Sequence, residues 1–200
     1  MSATGPSQGG LFDAELAPLP RHRLFFALVP PDAVCNRIAA IATALSEQGG
    51  LAGRWVRPAR YHLTLAFLGD HVNLGEALLA SARAAGEAVA AQTAPFAWRA
   101  DRIDSFRGRQ PPCVLRGGEA APDLQALWGG LRRELARRAL DSHMDRNFVP
   151  HVTLAYAERT LPAPVMLEEA VEWPVDALVL LHGEVGHHDY RSLGRWRLGS

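Results

Sequence analysis

The 200 residues contain no lysine; all 21 basic residues are arginine. That absence excludes a lysine nucleophile and any Schiff-base chemistry. Two readings account for the arginines. Their planar fork suits phosphate recognition, and a GC-rich coding sequence would give the same composition with no functional meaning. Cysteine is nearly missing as well. Cys35 and Cys113 form neither a C-x-x-C pair nor a zinc spacing, and read as small buried side chains in a reducing compartment. Net charge is absent, with 21 acidic residues against 21 basic ones. The balance demands no polyanionic partner, yet leaves room for a local basic cleft. No apolar run reaches the ~18 residues of a membrane span. The opening MSATGPSQGG lacks the basic-then-apolar order of a secretory signal. These absences give the expectation of a cytoplasmic, soluble monomer with no membrane and no obligate protein partner.

One phrase is present twice. Residues 62–67 read HLTLAF and residues 151–156 read HVTLAY. With 8 His, 6 Thr and 27 Leu in the chain, chance gives His-x-Thr-Leu about 0.03 times per chain, so a second copy argues against accident. The bland alternative is a pair of buried strands that each happen to carry a histidine.

Residues 1–20, rich in Gly, Pro and Ala, are expected to form a flexible arm ahead of a single bilobal domain over 21–200. His22–Val29 is an apolar run stopped by Pro30–Pro31 and reads as a strand. Val34, Ile38, Ile41 and Leu45 recur at helical spacing over Asp32–Gln48, with Asp32 as the expected N-cap and Gly49–Gly50 as the stop. Trp55–Val56 is a short strand candidate. The first motif strand is expected over Tyr61–Leu68, closed by Gly69. A second helix is expected over Asn73–Gln92. Strands follow at Phe96–Phe106 and Cys113–Arg116, then an amphipathic helix at Pro122–Leu140. The second motif strand is expected at Val149–Ala157. After a loop containing Pro162 and Pro164, Val175–Val185 and Tyr190–Leu198 should close as a pair around a GHHD turn. The sum is α+β, bilobal, with mostly antiparallel sheets lining a central cleft and helices packed outside. The placement of the two motif strands suggests a pseudo-two-fold duplication.

In a strand, alternate side chains face opposite ways. His62 and Thr64 therefore share one face, and His151 and Thr153 share the corresponding one. If the halves meet about a pseudo-two-fold axis, two imidazoles and two hydroxyls converge. Two histidines near pKa 6.5 make an acid–base pair at neutral pH. One takes a proton from the attacking hydroxyl and the other gives one to the leaving oxygen. In-line displacement at phosphorus fits that division, with the threonines donating to the non-bridging oxygens and no metal or other cofactor required. Acyl transfer fits less well, because no G-x-S-x-G elbow occurs.

At this point the residues resemble a known family. HLTLAFLG and PHVTLAYA resemble the paired H-x-T-x motifs of the 2H phosphoesterase superfamily, in its RNA 2′,3′-cyclic phosphodiesterase or 2′-5′ RNA ligase-like branch. RLFFALVP, the Trp before the first motif, F-x-P before the second and Tyr190–Leu193 as Y-x-x-L extend the likeness over most of 22–198. The resemblance implies a bilobal fold and hydrolysis of RNA 2′,3′-cyclic phosphate ends, such as those of tRNA fragments, to 2′-phosphomonoesters. It also implies 2′-5′ joining of RNA ends in some members. By motif position His62 resembles the proton donor and His151 the proton acceptor, with Thr64 and Thr153 as phosphate-binding hydroxyls. Many relatives carry Arg five positions after the second histidine, whereas this chain carries Tyr156, a candidate substrate contact through its ring. The competing readings are a non-catalytic RNA-end-binding module, a phosphodiesterase of small cyclic nucleotides, and a hydrolase using the histidines as metal ligands.

Phe67 and Tyr156 are open between core packing and base stacking. Among the other histidines, His71 is expected in an exposed turn. His187 and His188 beside Asp189 are a weak metal candidate, and His22, His143 and His182 carry no pattern.

Overall fold

The computed structural model describes residues 21–49, 51–118, 121–187 and 189–199. The arm expected over 1–20, Gly50 of the helix stop, and His188 lie outside the described residues. The elements run β1 (His22–Leu28), α1 (Asp32–Glu47), β2 (Gly53–Trp55), a 3-10 turn (Pro58–Arg60), β3 (Leu63–His71) and α2 (Glu76–Ala91). They continue β4 (Phe96–Ser105), β5 (Pro112–Arg116), α3 (Pro122–Arg137), β6 (Val152–Ala157), β7 (Val165–Val175), β8 (Ala177–Glu184) and β9 (Tyr190–Arg197).

All strand pairings are antiparallel and join one nine-stranded sheet in the order β7-β4-β5-β6-β3-β1-β8-β9, with β2 pairing β6. The pseudo-two-fold reads directly from that order. In one half β3 is flanked by β1, β8 and β9; in the other β6 is flanked by β5, β4 and β7. The strand–helix–strand units β1-α1-β3 and β5-α3-β6 correspond. The halves join through a ladder one pair long, Leu63 with Val152.

Helix α3 shows why the periodicity produces an element. Pro122 suits a first turn, where its missing N–H costs nothing. Leu124, Leu127, Leu131 and Leu135 then fall on one stripe and are fully buried. Each contributes roughly 1.5–3 kcal/mol of apolar burial. The stripe packs on α2 and against β3 and β4, while α1 leaves one half and lies against β7 of the other. Helices thus cover one face of the sheet across the seam, and the opposite face is left for the cleft. No helix among the described residues is long and apolar enough to cross a membrane.

Four local expectations need correction. Pro31, not Asp32, is the N-cap of α1; Asp32 sits in the first turn, where its carboxylate meets the helix's positive end. Gly69 does not close the motif strand. It lies inside β3 at φ +111°, where the register with β1 slips and a β-bulge forms. His71, expected in an exposed turn, is the partly buried last residue of β3, with Nε2 donating to the Leu68 carbonyl at 3.1 Å. Strand β7 was not anticipated. It is an edge strand paired only with β4; burial alternates regularly only over Val171–Val175, with exposed Glu172 and Pro174 between buried residues, and the adjacent exposed Glu168 and Glu169 break the pattern before it, as edge strands tolerate.

Candidate active site

The single Leu63–Val152 pair fixes the register at the seam. Continued one residue each way, it sets His62 opposite Thr153 and Thr64 opposite His151, all on the face away from the helices. Leu63, Leu65, Val152 and Leu154, on the other face, are buried at 0–4% exposure and anchor both strands. His62, Thr64, His151 and Thr153 all line one cleft of about 650 Å³, together with Tyr156. The structure thus brings every sequence-expected site residue to one place.

The two histidines are held alike. His62 Nδ1 lies 2.7 Å from the Arg60 carbonyl, and His151 Nδ1 lies 2.7 Å from the Val149 carbonyl. A carbonyl only accepts, so Nδ1 carries the proton in both rings and donates it to the residue two positions back. Nε2 is left as the reactive nitrogen of each. Neither threonine hydroxyl has a hydrogen-bond partner among the described residues, so both remain available to an oxyanion in the cleft.

Their surroundings differ. His62 is wedged between Phe25 and Tyr190, with ring centroids 5.1 and 5.3 Å away. Burial pushes it down from 6.5 to about 4, assisted by the Arg60 and His151 charges and opposed by the bond to the Arg60 carbonyl. His151 has Phe106 edge-on at 4.8 Å. Burial lowers its pKa too, and Arg116 adds to that, but the bond to the Val149 carbonyl and the Asp145 carboxylate pull it back up. Both rings therefore favour the neutral form at pH 7.

Sequence reasoning missed the cations. Arg23, Arg54, Arg57 and Arg60 line the cleft. Arg23 is engaged by Asp70 at 3.0 Å and Arg57 by Asp189 at 2.8 Å. Arg60 lies 4.5 Å over the Tyr190 ring and donates to its hydroxyl at 2.6 Å. Arg54 lies 4.8 Å over the Tyr156 ring. Neither Arg54 nor Arg60 has a carboxylate partner among the described residues. The signal was the R-x-x-R-x-x-R spacing of RWVRPAR just before His62. What the sequence could not show is that β2 pairs with β6, putting Arg54 opposite Tyr156. That contact needs Gly53, where a Cβ would stand 2.5 Å from the Tyr156 carbonyl oxygen.

Tyr156 is 38% exposed and lines the cleft. Phe67 lines it too, packed against Phe25, Ala27, Val179 and Leu181 beneath. His22 and His182, expected to be incidental, bond to each other, Nδ1 to Nε2, at 3.0 Å. His143 is exposed, with its ring 5.7 Å from Phe67. Of the weak metal candidate, His187 approaches Glu184 at 3.5 Å, while Asp189 pairs with Arg57.

A family model described as the 2′-5′ RNA ligase superfamily matches residues 30–187. The chain is 29% identical over 168 residues to the RNA 2′,3′-cyclic phosphodiesterase of Thermus thermophilus, covering 82% of each. A solved Thermus thermophilus protein superposes with a TM-score of 0.70 at 28% identity, over 89% of this chain and 98% of that one. E. coli LigT, solved with NADP+, gives 0.72 at 23% identity over 90% and 99%, a likeness of fold alone.

Proposed function

The chain belongs to the 2′-5′ RNA ligase superfamily, and from that premise we propose that it hydrolyses RNA 2′,3′-cyclic phosphate ends to 2′-phosphomonoesters. The observation that carries the reading is the seam itself: two Nδ1-tethered histidines, each opposite the other's threonine, in one arginine-lined cleft. The phosphate sits between the two Nε2 atoms. His151 takes a proton from the attacking water and His62 gives one to the departing O3′. Thr64 and Thr153 donate to the non-bridging oxygens as charge grows on them. Arg54 and Arg60, without carboxylate partners among the described residues, bind the phosphates of the strand. Tyr156 and Tyr190 offer their rings to bases.

The low pKa of His62 comes chiefly from burial. A phosphate anion beside the ring favours the imidazolium and so loads the proton donor. With a 5′-hydroxyl in place of water, the same proton transfers join two RNA ends through a 2′-5′ bond.

The test is to incubate the protein with an oligonucleotide ending in a 2′,3′-cyclic phosphate, with a chelator present, and identify the product. A 2′-phosphomonoester is expected. A 3′-phosphate would sink the assignment of the leaving oxygen. No turnover would favour the non-catalytic end-binding reading, and loss of turnover to the chelator the metal-ligand one.

A further inference from the structure

The two histidines share a tether but not a set of neighbouring charges. His62 lines the main cleft alone, whereas His151 lines that cleft and a second cavity of about 360 Å³. Among the described residues, the main cleft wall carries Arg23, Arg54, Arg57 and Arg60 and no carboxylate. The second wall carries Asp145 and no arginine. Of the two rings, only His151 shares a wall with a carboxylate.

That carboxylate is uncommitted. Asp145 is exposed, lies on the segment that leads into His151, and has no ion-pair or hydrogen-bond partner among the described residues. The other groups of either charge around the ring are differently disposed. Arg116 of β5 repels a proton from His151, but it is itself engaged by Asp104 of β4 at 3.2 Å. His62 of β3 stands across the seam, and His143 lies on the cavity wall. Of the four cleft arginines, Arg23 and Arg57 are engaged by Asp70 and Asp189.

We propose that Asp145 is a positioning residue for the reaction: its charge holds on His151 the proton that the ring takes from the attacking oxygen, and so makes His151 the base of the pair. The inference rests on the proposed function and deepens it, by naming what makes two equally tethered rings unlike. The transfer itself is simple. The proton of the attacking water goes to Nε2 of His151, and Asp145 stays ionised throughout. In the free protein the Asp145 carboxylate already opposes the burial that lowers His151. On the other side the Arg60 charge disfavours a proton on His62, as suits a group that gives its proton away. Opposite charges beside matched rings thus separate acid from base. Because Asp145 is exposed, water and salt screen it, and the effect is modest.

The experiment uses the full chain and a nucleoside p-nitrophenyl phosphodiester, whose leaving group needs no proton. Its kcat profile then rises with pH through the ionisation of the base alone. At low salt the Asp145→Asn profile should lie at lower pH by about half a unit or more. Its plateau should be about two- to threefold lower, since a less basic imidazole is a slower base, with KM unchanged. Asp145→Glu should restore both. Added salt should move the unaltered protein's profile towards that of Asp145→Asn. An NMR titration of the His151 ring in the free protein should show the same displacement between the two proteins.

Coincident profiles at low salt overturn the inference and leave the hydrolytic reading standing. So does a rate loss with the profile in place, or one that Asp145→Glu does not reverse, because either marks a structural role. No turnover by the unaltered protein, on this substrate and on a cyclic-phosphate oligonucleotide alike, overturns the proposed function and the inference with it.

Discussion

The segments that lead into the two histidines do the same job by different means. Residues 53–61 enter His62 through β2 and a 3-10 turn, and bring Arg54, Arg57 and Arg60 to the cleft. Residues 141–150 enter His151 with no strand and no arginine on the wall, and present Asp145, Asn147 and Phe148 around a cavity. Both end in the same bond, Nδ1 to the carbonyl two residues back. The repeated motif thus keeps the orientation of the ring, while the approach sets what the ring faces. One wall carries arginines, and the other a carboxylate, a carboxamide and aromatic rings. A duplicated strand pair thus sets its two histidines in unequal surroundings through its flanks.

The largest effect should come from removing either ring. His62→Ala and His151→Ala should each lower kcat by about 10²–10⁴-fold. Because the two act as a unit, the double variant should be little slower than the worse single one. A single variant with near-normal turnover would break the pairing. Next, Arg54→Ala should raise KM for a cyclic-phosphate oligonucleotide about tenfold at low salt, equivalent to ~1.4 kcal/mol. The penalty should shrink as salt is added, because the lost contact is ionic. A KM change that is independent of salt would make Arg54 a packing residue of Tyr156 and not a phosphate ligand.

The unequal surroundings also predict a pH effect on stability. Burial holds His62 at about 4 in the folded protein, against an ordinary 6.5. Between these values the unfolded chain binds the proton and the folded one does not. Stability is therefore present above pH 6.5 and is lost as pH falls towards 4. Thermal melts of the unaltered protein and His62→Asn, at pH 7 and pH 4.5, should show a smaller drop in Tm for the variant. Equal drops would mean that other groups dominate. Smallest of all, Tyr156→Phe should change kcat/KM less than about twofold, since the ring, not the hydroxyl, carries the contact with Arg54. A loss of tenfold would show that the phenol itself touches substrate.

What could be read beforehand was whatever depends on short-range pattern. Alternation in HLTLAF and HVTLAY placed histidine and threonine on one face, and the leucine stripe of Pro122–Leu140 marked α3. What escaped depends on distant pairing. Arg54 reaches Tyr156 because β2 lies on β6, and His22 reaches His182 because β1 lies on β8. Edge strand β7 escaped because adjacent Glu168 and Glu169 leave regular alternation only over its last five residues, Val171–Val175. Gly69 read as a stop, since φ > 0 marks a chain end and an internal bulge alike.

The central claim is that His62 acts on the leaving oxygen and His151 on the nucleophile. It is tested most directly with a phosphodiester whose leaving group needs no proton, such as a nucleoside p-nitrophenyl phosphate. The account predicts that His62→Ala recovers most of the unaltered protein's rate on this substrate, while His151→Ala stays slow by orders of magnitude. Rescue of His151→Ala instead, or equal failure of both, would contradict it.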